Sequence, residues 1–321
     1  MKLSSRQQRL KFMQRQFEVE LARDMAELEK QIIKELARTY NDNMKVTKGL
    51  LADLYEKYAK DGMLSRDELM KYNRLLGLEK ELAKHIKSLT GETRKLTRKG
   101  IVESIQGSYL RGRYAMESGL SVNTGLYGVN ERLIEANLLN PFDRIGWQSR
   151  IQFNLNNTFR GLVDAINEGS IQGYAYDKTA ALMTHRIDRS FNDAVRIVRS
   201  EQHRASQAAA NTAHQESARA AERLGIEVRK VWNHYAVGDF RDSHADQLDG
   251  QVADDDGLFH LEGLSAEYPG GFGVAEEDIN CKCTISTEIV EDEEDRLSGM
   301  DEVPSYADWQ EDNRQKILRG E

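Results

Sequence analysis

The chain has 321 residues, of which 39% are hydrophobic and 31% charged, with a formal net charge of −8, three prolines and two cysteines. That length can bury a sizeable core and divides by ordinary size into two or three domains, and the scarcity of proline argues for a mostly helical protein. No apolar signal-peptide core opens the chain and no run of about 18 apolar residues interrupts it, so neither secretion nor a membrane span is expected, and a soluble protein made inside cells is.

Charge is unevenly spread. Residues 1–100 carry 23 Lys and Arg against 15 Asp and Glu, residues 101–200 carry 11 against 10, and residues 201–321 carry 11 against 28. A basic first third can attract nucleic-acid phosphates or an acidic protein surface, although Lys and Arg also simply solvate the outer faces of long helices.

From Leu10 the apolar residues Met13, Phe17, Leu21, Met25, Leu28, Ile32 and Leu36 recur every three or four positions, which predicts a helix with one apolar face. A second helix is predicted over residues 46–60, ended by Asp61-Gly62. Ser65-Arg66-Asp67-Glu68 then has the form of a capping box, and Leu75, Leu78, Leu82, Ile86 and Leu89 carry helical spacing on towards Ser118. Residues 1–120 thus read as a basic long-helix domain, a bundle or an extended arm.

Gly119, Gly125 and Gly128 mark a hinge into a second helical domain, residues 121–225. There Ile145, Ile151, Leu155, Phe159, Leu162 and Ile166 predict a helix stopping at Gly169. Asp177 or its neighbour caps a short helix, and a longer one runs from Asp188 to Leu224, ended by Gly225 in the left-handed conformation. Residues 226–290 read as a small α+β domain with strands at Ile226–Tyr235 and Cys283–Val290. Residues 291–321 open with five acids and are expected to form a flexible acidic tail, in which Trp309, Ile317 and Leu318 could dock as a short helix. The fold class expected is mainly α, with long N-terminal helices and a small C-terminal α+β domain.

The chemically pointed residues cluster late. Trp232, Asp239, Arg241, His244, Leu248, Asp249 and Gly250 are followed by Tyr268-Pro269-Gly270 and by Asn280-Cys281-Lys282-Cys283, which holds both cysteines of the chain. Asp249-Gly250 and Tyr268-Pro269-Gly270 are turn sequences. A disulfide between cysteines two apart would be badly strained.

This order of residues resembles the C-terminal signature of the Mu F-like phage minor head, or head morphogenesis, proteins. Upstream, Arg199-Ser200-Glu201 is similar to the Arg-Thr-Glu that precedes the signature in that family, with Ser200 in place of threonine. The resemblance spans roughly residues 170–290. It implies a minor structural protein, a few copies per particle, inside the capsid near the portal vertex, acting in head assembly and in packaging or ejection of DNA. The partners implied are the portal, scaffolding and major capsid proteins, with host cytoplasm as the site of assembly; the basic arm adds nonspecific contact with double-stranded DNA.

Two thiolates held with an imidazole favour zinc, and His244 is the third ligand that the resemblance implies beside Cys281 and Cys283. Asp249, Asp242 and His260 all remain open as the fourth. The bland alternative is that both cysteines are small buried hydrophobes and that His244 and Asp249 tie down a turn. An ion pair between Arg241 and Glu201 would fasten the long helix to the signature. No phosphate loop, nucleophile elbow or HExxH sequence is present, so a non-enzyme is expected, the alternative being a metal-dependent hydrolase or nuclease-like factor built on the His/Cys cluster.

Overall fold

The computed structural model describes residues 4–122, 128–129, 131–139, 145–234, 241–292 and 303–319. Long helices dominate. Helix α1 (Ser5–Tyr58) is followed by the short α2 (Arg66–Met70), by α3 (Arg74–Leu120), α4 (Glu131–Leu139), α5 (Trp147–Gln172) and α6 (Tyr176–Glu222). The strands come late: β1 (Ile226–Asn233), β2 (Phe259–Leu261), β3 (Leu264–Ala266), then the one-turn α7 (Ala275–Asp278), β4 (Thr284–Asp292) and α8 (Tyr306–Arg319). The chain is mainly α with a small α+β region near its end.

Where helices begin and stop follows local chemistry. Ser65 Oγ accepts the Glu68 amide and starts α2, but Glu68 turns its carboxylate to Lys71 and Arg74. Gly225 takes φ +73 just beyond α6. Three predicted interruptions are absent. The helices expected at 10–36 and 46–60 are one, and Asn43, midway, donates from its side-chain amide to the His85 carbonyl. Gly169 lies inside α5, because a Cβ there would strike Thr179 of α6; the helix instead ends at Gly173 with φ +64. The short and long helices expected after Asp177 are likewise one, α6.

The chain divides into two compact units whose boundaries cut across those expected from sequence. Residues 30–99 and 145–198 form one; residues 1–29, 100–144 and 199–321 form the other. The first is a helical body with Ile32, Leu36, Leu51, Leu82, Ile86, Ile151, Leu155, Leu162 and Ile187 buried in it. Tyr55 donates to the Tyr174 carbonyl and meets Thr179 Oγ1 at 2.8 Å, which pins α1 to the α5–α6 turn.

The second unit carries the sheet. β1 pairs antiparallel with β4 from Ile226–Asp292 to Asn233–Thr284, with a bulge at Glu227/Val228. On the other edge of β1 the segment 250–253 adds a partial ladder: Trp232 donates to Gln251, Gly250 to Trp232 and Ala253 to Lys230. One core gathers Ala210 of α6 with Trp232, Leu248, Phe259, Leu261, Phe272, Cys281, Cys283 and Ile285; another joins Leu10, Met116, Leu120 and Ala221 to Ile226 and Ile289.

The tail differs from the flexible segment expected. Trp309 of α8 is buried, its indole donating to Glu117 Oε2 of α3, and Tyr114 of α3 packs against both Tyr306 and Trp309. Of the opening acidic run, Glu293–Asp295 lie outside the described residues.

Candidate functional site

The site is assembled where β1 ends. Trp232, fully buried, stands edge-on to Phe259 at 5.1 Å and to His244 at 6.0 Å, with Phe272 tilted at 5.7 Å. This aromatic wall seats a π-helical turn, His244–Leu248. The turn is fastened on its far side by the Asp249-Gly250 dipeptide. Gly250 has φ +76 and donates to Trp232, while Asp249 Oδ1 accepts the His234 amide at 2.9 Å.

His244 projects from that turn towards the two cysteines. Its Nδ1 lies 3.8 Å from Cys281 Sγ and 3.5 Å from Cys283 Sγ, and the three ligand atoms are all within 4.8 Å of one another. All three residues are buried, at 2%, 4% and 2% exposure. Among the described residues these form the group able to hold a metal ion. Two thiolates and an imidazole are a soft donor set, suited to thiophilic ions rather than to calcium or magnesium.

The opposite nitrogen of His244, Nε2, meets Glu277 Oε2 at 2.8 Å. A carboxylate there accepts the Nε2 proton and orients the ring with Nδ1 towards the sulfurs. Glu277 is in turn held by α7, whose neighbourhood is built by polar contacts. Asp278, buried, accepts the amides of Phe272 and Gly273, and Arg241 donates to the carbonyls of Glu276 and Ile279 at 2.6 Å each.

The two thiols divide their proton. Hydrogen bonding from Cys281 and then from the imidazoles holds the Cys283 thiol far below its ordinary value, against the cost of burial. The same contact with Cys283, together with burial, pushes the Cys281 thiol up. Burial opposes charge on His244, yet the hydrogen bonds with Cys283 and Glu277 outweigh it and raise that ring's affinity for a proton.

The other predicted residues have separate duties. Asp249 secures the His234 amide and is not in the three-residue group; His260 bonds Asp254 at 2.7 Å instead. Glu201 does not meet Arg241: it is fully buried against Arg204 at 3.1 Å, and Arg204 also donates to the Asn137 carbonyl. Arg199 pairs with Glu29 at 2.7 Å. Ser200, between them, accepts the Asn280 amide at 3.4 Å, and Asn280 takes φ +61 to turn the chain into Cys281. The two parts of the resemblance thus meet through a serine hydroxyl rather than an ion pair. Pro269 is buried and Gly270 lies against the Arg204 backbone on α6. Asp239 lies outside the described residues.

Several residues of this region were not picked out from sequence. His234, Glu277 and Asp278 surround the cluster, and Lys230 and His214 form a buried polar pair of partners behind it: Lys230 Nζ donates to Asn211 and to the Glu267 carbonyl, and His214 Nδ1 meets Thr287 Oγ1. Only the Glu276-Glu277-Asp278 run beside the cysteines offered a signal. His234, Lys230 and His214 are placed by strand register and helix packing.

No protein-family model matches the chain, and no solved structure matches it. The chain is 32% identical over 160 residues to the NAD(+)–arginine ADP-ribosyltransferase EFV of Enterococcus faecalis, a match covering 48% of this chain and 31% of that protein. It spans, then, about a third of that relative's length. It is 25% identical over 292 residues to the minor head protein GP7 of Bacillus phage SPP1, covering 88% of this chain and 92% of that one. The first likeness corrects the expectation of a non-enzyme. A sequence shared with a protein named for transferase activity no longer argues against catalysis, and missing hydrolase motifs do not bear on ADP-ribosyl transfer. The second likeness runs over most of both chains and supports a phage minor head protein.

Proposed function

We propose that the chain is a minor structural protein of a tailed-phage head, of the Mu F-like kind. It sits inside the capsid near the portal vertex and acts in head morphogenesis and in packaging or ejection of DNA. Its partners are the portal protein and, during assembly in the host cytoplasm, the scaffolding and major capsid proteins. The observation that carries this reading is the 88% coverage of this chain and 92% coverage of the SPP1 minor head protein, at 25% identity. Basic residues of the first hundred give nonspecific contact with double-stranded DNA. No helix among the described residues is long and apolar enough to cross a membrane.

Deleting the gene from its phage tests the reading. Purified procapsids and virions of the parent should contain the chain in a few copies, and particles from the deletion should assemble poorly or fail to deliver DNA. Normal yield, normal infectivity and a parent particle lacking the chain would sink it.

The metal suited to His244, Cys281 and Cys283 is, in this proposal, zinc, by the softness of the donor set. A second reading rests on the other relative: the chain transfers ADP-ribose from NAD(+) to arginine. Incubation with labelled NAD(+) and an arginine-rich acceptor decides it, since incorporated label supports transfer and an unlabelled acceptor removes it.

A further inference from the structure

We propose that His234 is the fourth protein ligand of a closed zinc site with Cys281, Cys283 and His244, and that Glu277 positions His244 for it. The inference rests on the zinc reading above and adds the residue that neither spacing nor resemblance selected. Tetrahedral zinc with bonds of about 2.3 Å to sulfur and about 2.0 Å to nitrogen sets its ligand atoms about 3.5 Å apart for each sulfur–nitrogen edge. The sulfur–nitrogen separations at the site are 3.8 Å and 3.5 Å from His244 and 3.6 Å from His234 Nδ1 to Cys283 Sγ. One of those three edges is His234's own, and it has the length that shared ligation with Cys283 requires.

The sheet explains why His234 is there. The last register pair of β1 and β4 is Asn233 with Thr284, so one antiparallel step further sets His234 against Cys283. Asp249 holds the His234 amide, which fixes the backbone at the strand end. The His234 ring meets Cys283 but stands outside the group whose ligand atoms are all within 4.8 Å, so ligation draws it closer to the other two. The 2.8 Å contact of His244 Nε2 with Glu277 holds a ring proton at Nε2 and aims Nδ1 at the sulfurs, so that Nδ1 is the nitrogen that would yield its proton to an ion. Asp249, one of the three fourth ligands open from sequence, becomes in this proposal the residue that secures His234.

The test uses the full chain, loaded with Zn²⁺ or with Co²⁺ as a spectroscopic stand-in. The wild type should carry one zinc per chain, and its cobalt form should show thiolate charge transfer with the strong visible bands of four-coordination. His234→Gln, at a strand end, should fold with unchanged circular dichroism, lose zinc affinity by more than about tenfold, and give a cobalt spectrum that added cyanide shifts, since water now completes the shell. Glu277→Gln should weaken zinc by about tenfold to a hundredfold while keeping the four-coordinate spectrum. If the wild type takes up neither metal, the zinc reading itself falls. If it binds zinc and His234→Gln matches it in affinity and in indifference to cyanide, the zinc stands and His234 is not its ligand. Cys283→Ser should abolish binding. Should that variant fail to fold, release of thiolate charge transfer from the wild type by a chelator carries the same information.

Discussion

His214 is buried between α6 and β4, where its Nδ1 meets Thr287 Oγ1 at 2.8 Å and Lys230 is the charged neighbour. Burial, reinforced by Lys230, pushes its pKa from 6.5 down to about 3. Between those values the unfolded chain binds a proton that the folded chain refuses, so stability is complete above about pH 6.5 and is lost as pH falls towards 3. Lys230, lowered by burial to about 8, follows the same rule in a separate window, because its unfolded form holds a proton up to about 10.5. The two titrations therefore do not overlap. His214→Gln keeps a hydrogen-bonding side chain at Thr287 but removes the titrating ring. Urea midpoints of the wild type should fall more steeply than those of the variant between pH 6.5 and 4; parallel curves would mean that the ring is solvated in the folded chain.

At the scale of elements, what could be read from the sequence depended on how local the cause was. Ser65 and Gly225 act on their own few residues, and the structure places a cap and a left-handed turn there. The strands were legible because the β-branched Val228 and Val231 flank charged residues and Ile285 and Ile289 alternate with polar ones over short spans. A gap between residues 36 and 46 and a stop at Gly169 were expected because the contacts made there, from Asn43 to the His85 carbonyl and from Thr179 against Gly169, come from other segments. The same division holds in the candidate site. The two cysteines stood out by rarity and His244 by the resemblance, whereas His234 and Glu277 are commonplace until β-register brings one to Cys283 and α7 brings the other to His244. Helix α8 illustrates it again, since its acidic approach suggested a tail and its seat comes from distant residues, Glu117 at the indole and Tyr114 against the rings. Trp309→Ala removes that bond and the stack on Tyr306. Hydrogen exchange should then show the α8 amides losing protection while α3 and α6 keep theirs, since a docked element with few partners opens separately. Unchanged protection in α8 would show that the indole is not what holds it.

For the whole molecule, the question is whether the signature region stands alone, as expected from sequence for residues 226–290. Its interior argues otherwise. The core around Trp232 includes Ala210 of α6, Lys230 donates to Asn211 of α6, Asn211 donates to Glu267, His214 meets Thr287, and Ser200 accepts the Asn280 amide. Ile226 and Ile289 are likewise covered by Leu10, Met116, Leu120 and Ala221. A fragment starting at residue 226 would keep its two small sheets but lose the helix beneath them, exposing apolar side chains and leaving Lys230 without its Asn211 partner. Sheets of two strands are marginal in water without such a partner. Expressed alone, residues 226–321 should bind a hydrophobic dye and unfold without a cooperative transition, while the full chain melts cooperatively. A fragment that shows a sharp thermal transition and no dye binding would establish an independent domain, and the contacts with α6 would then be docking between finished parts rather than completion of one core.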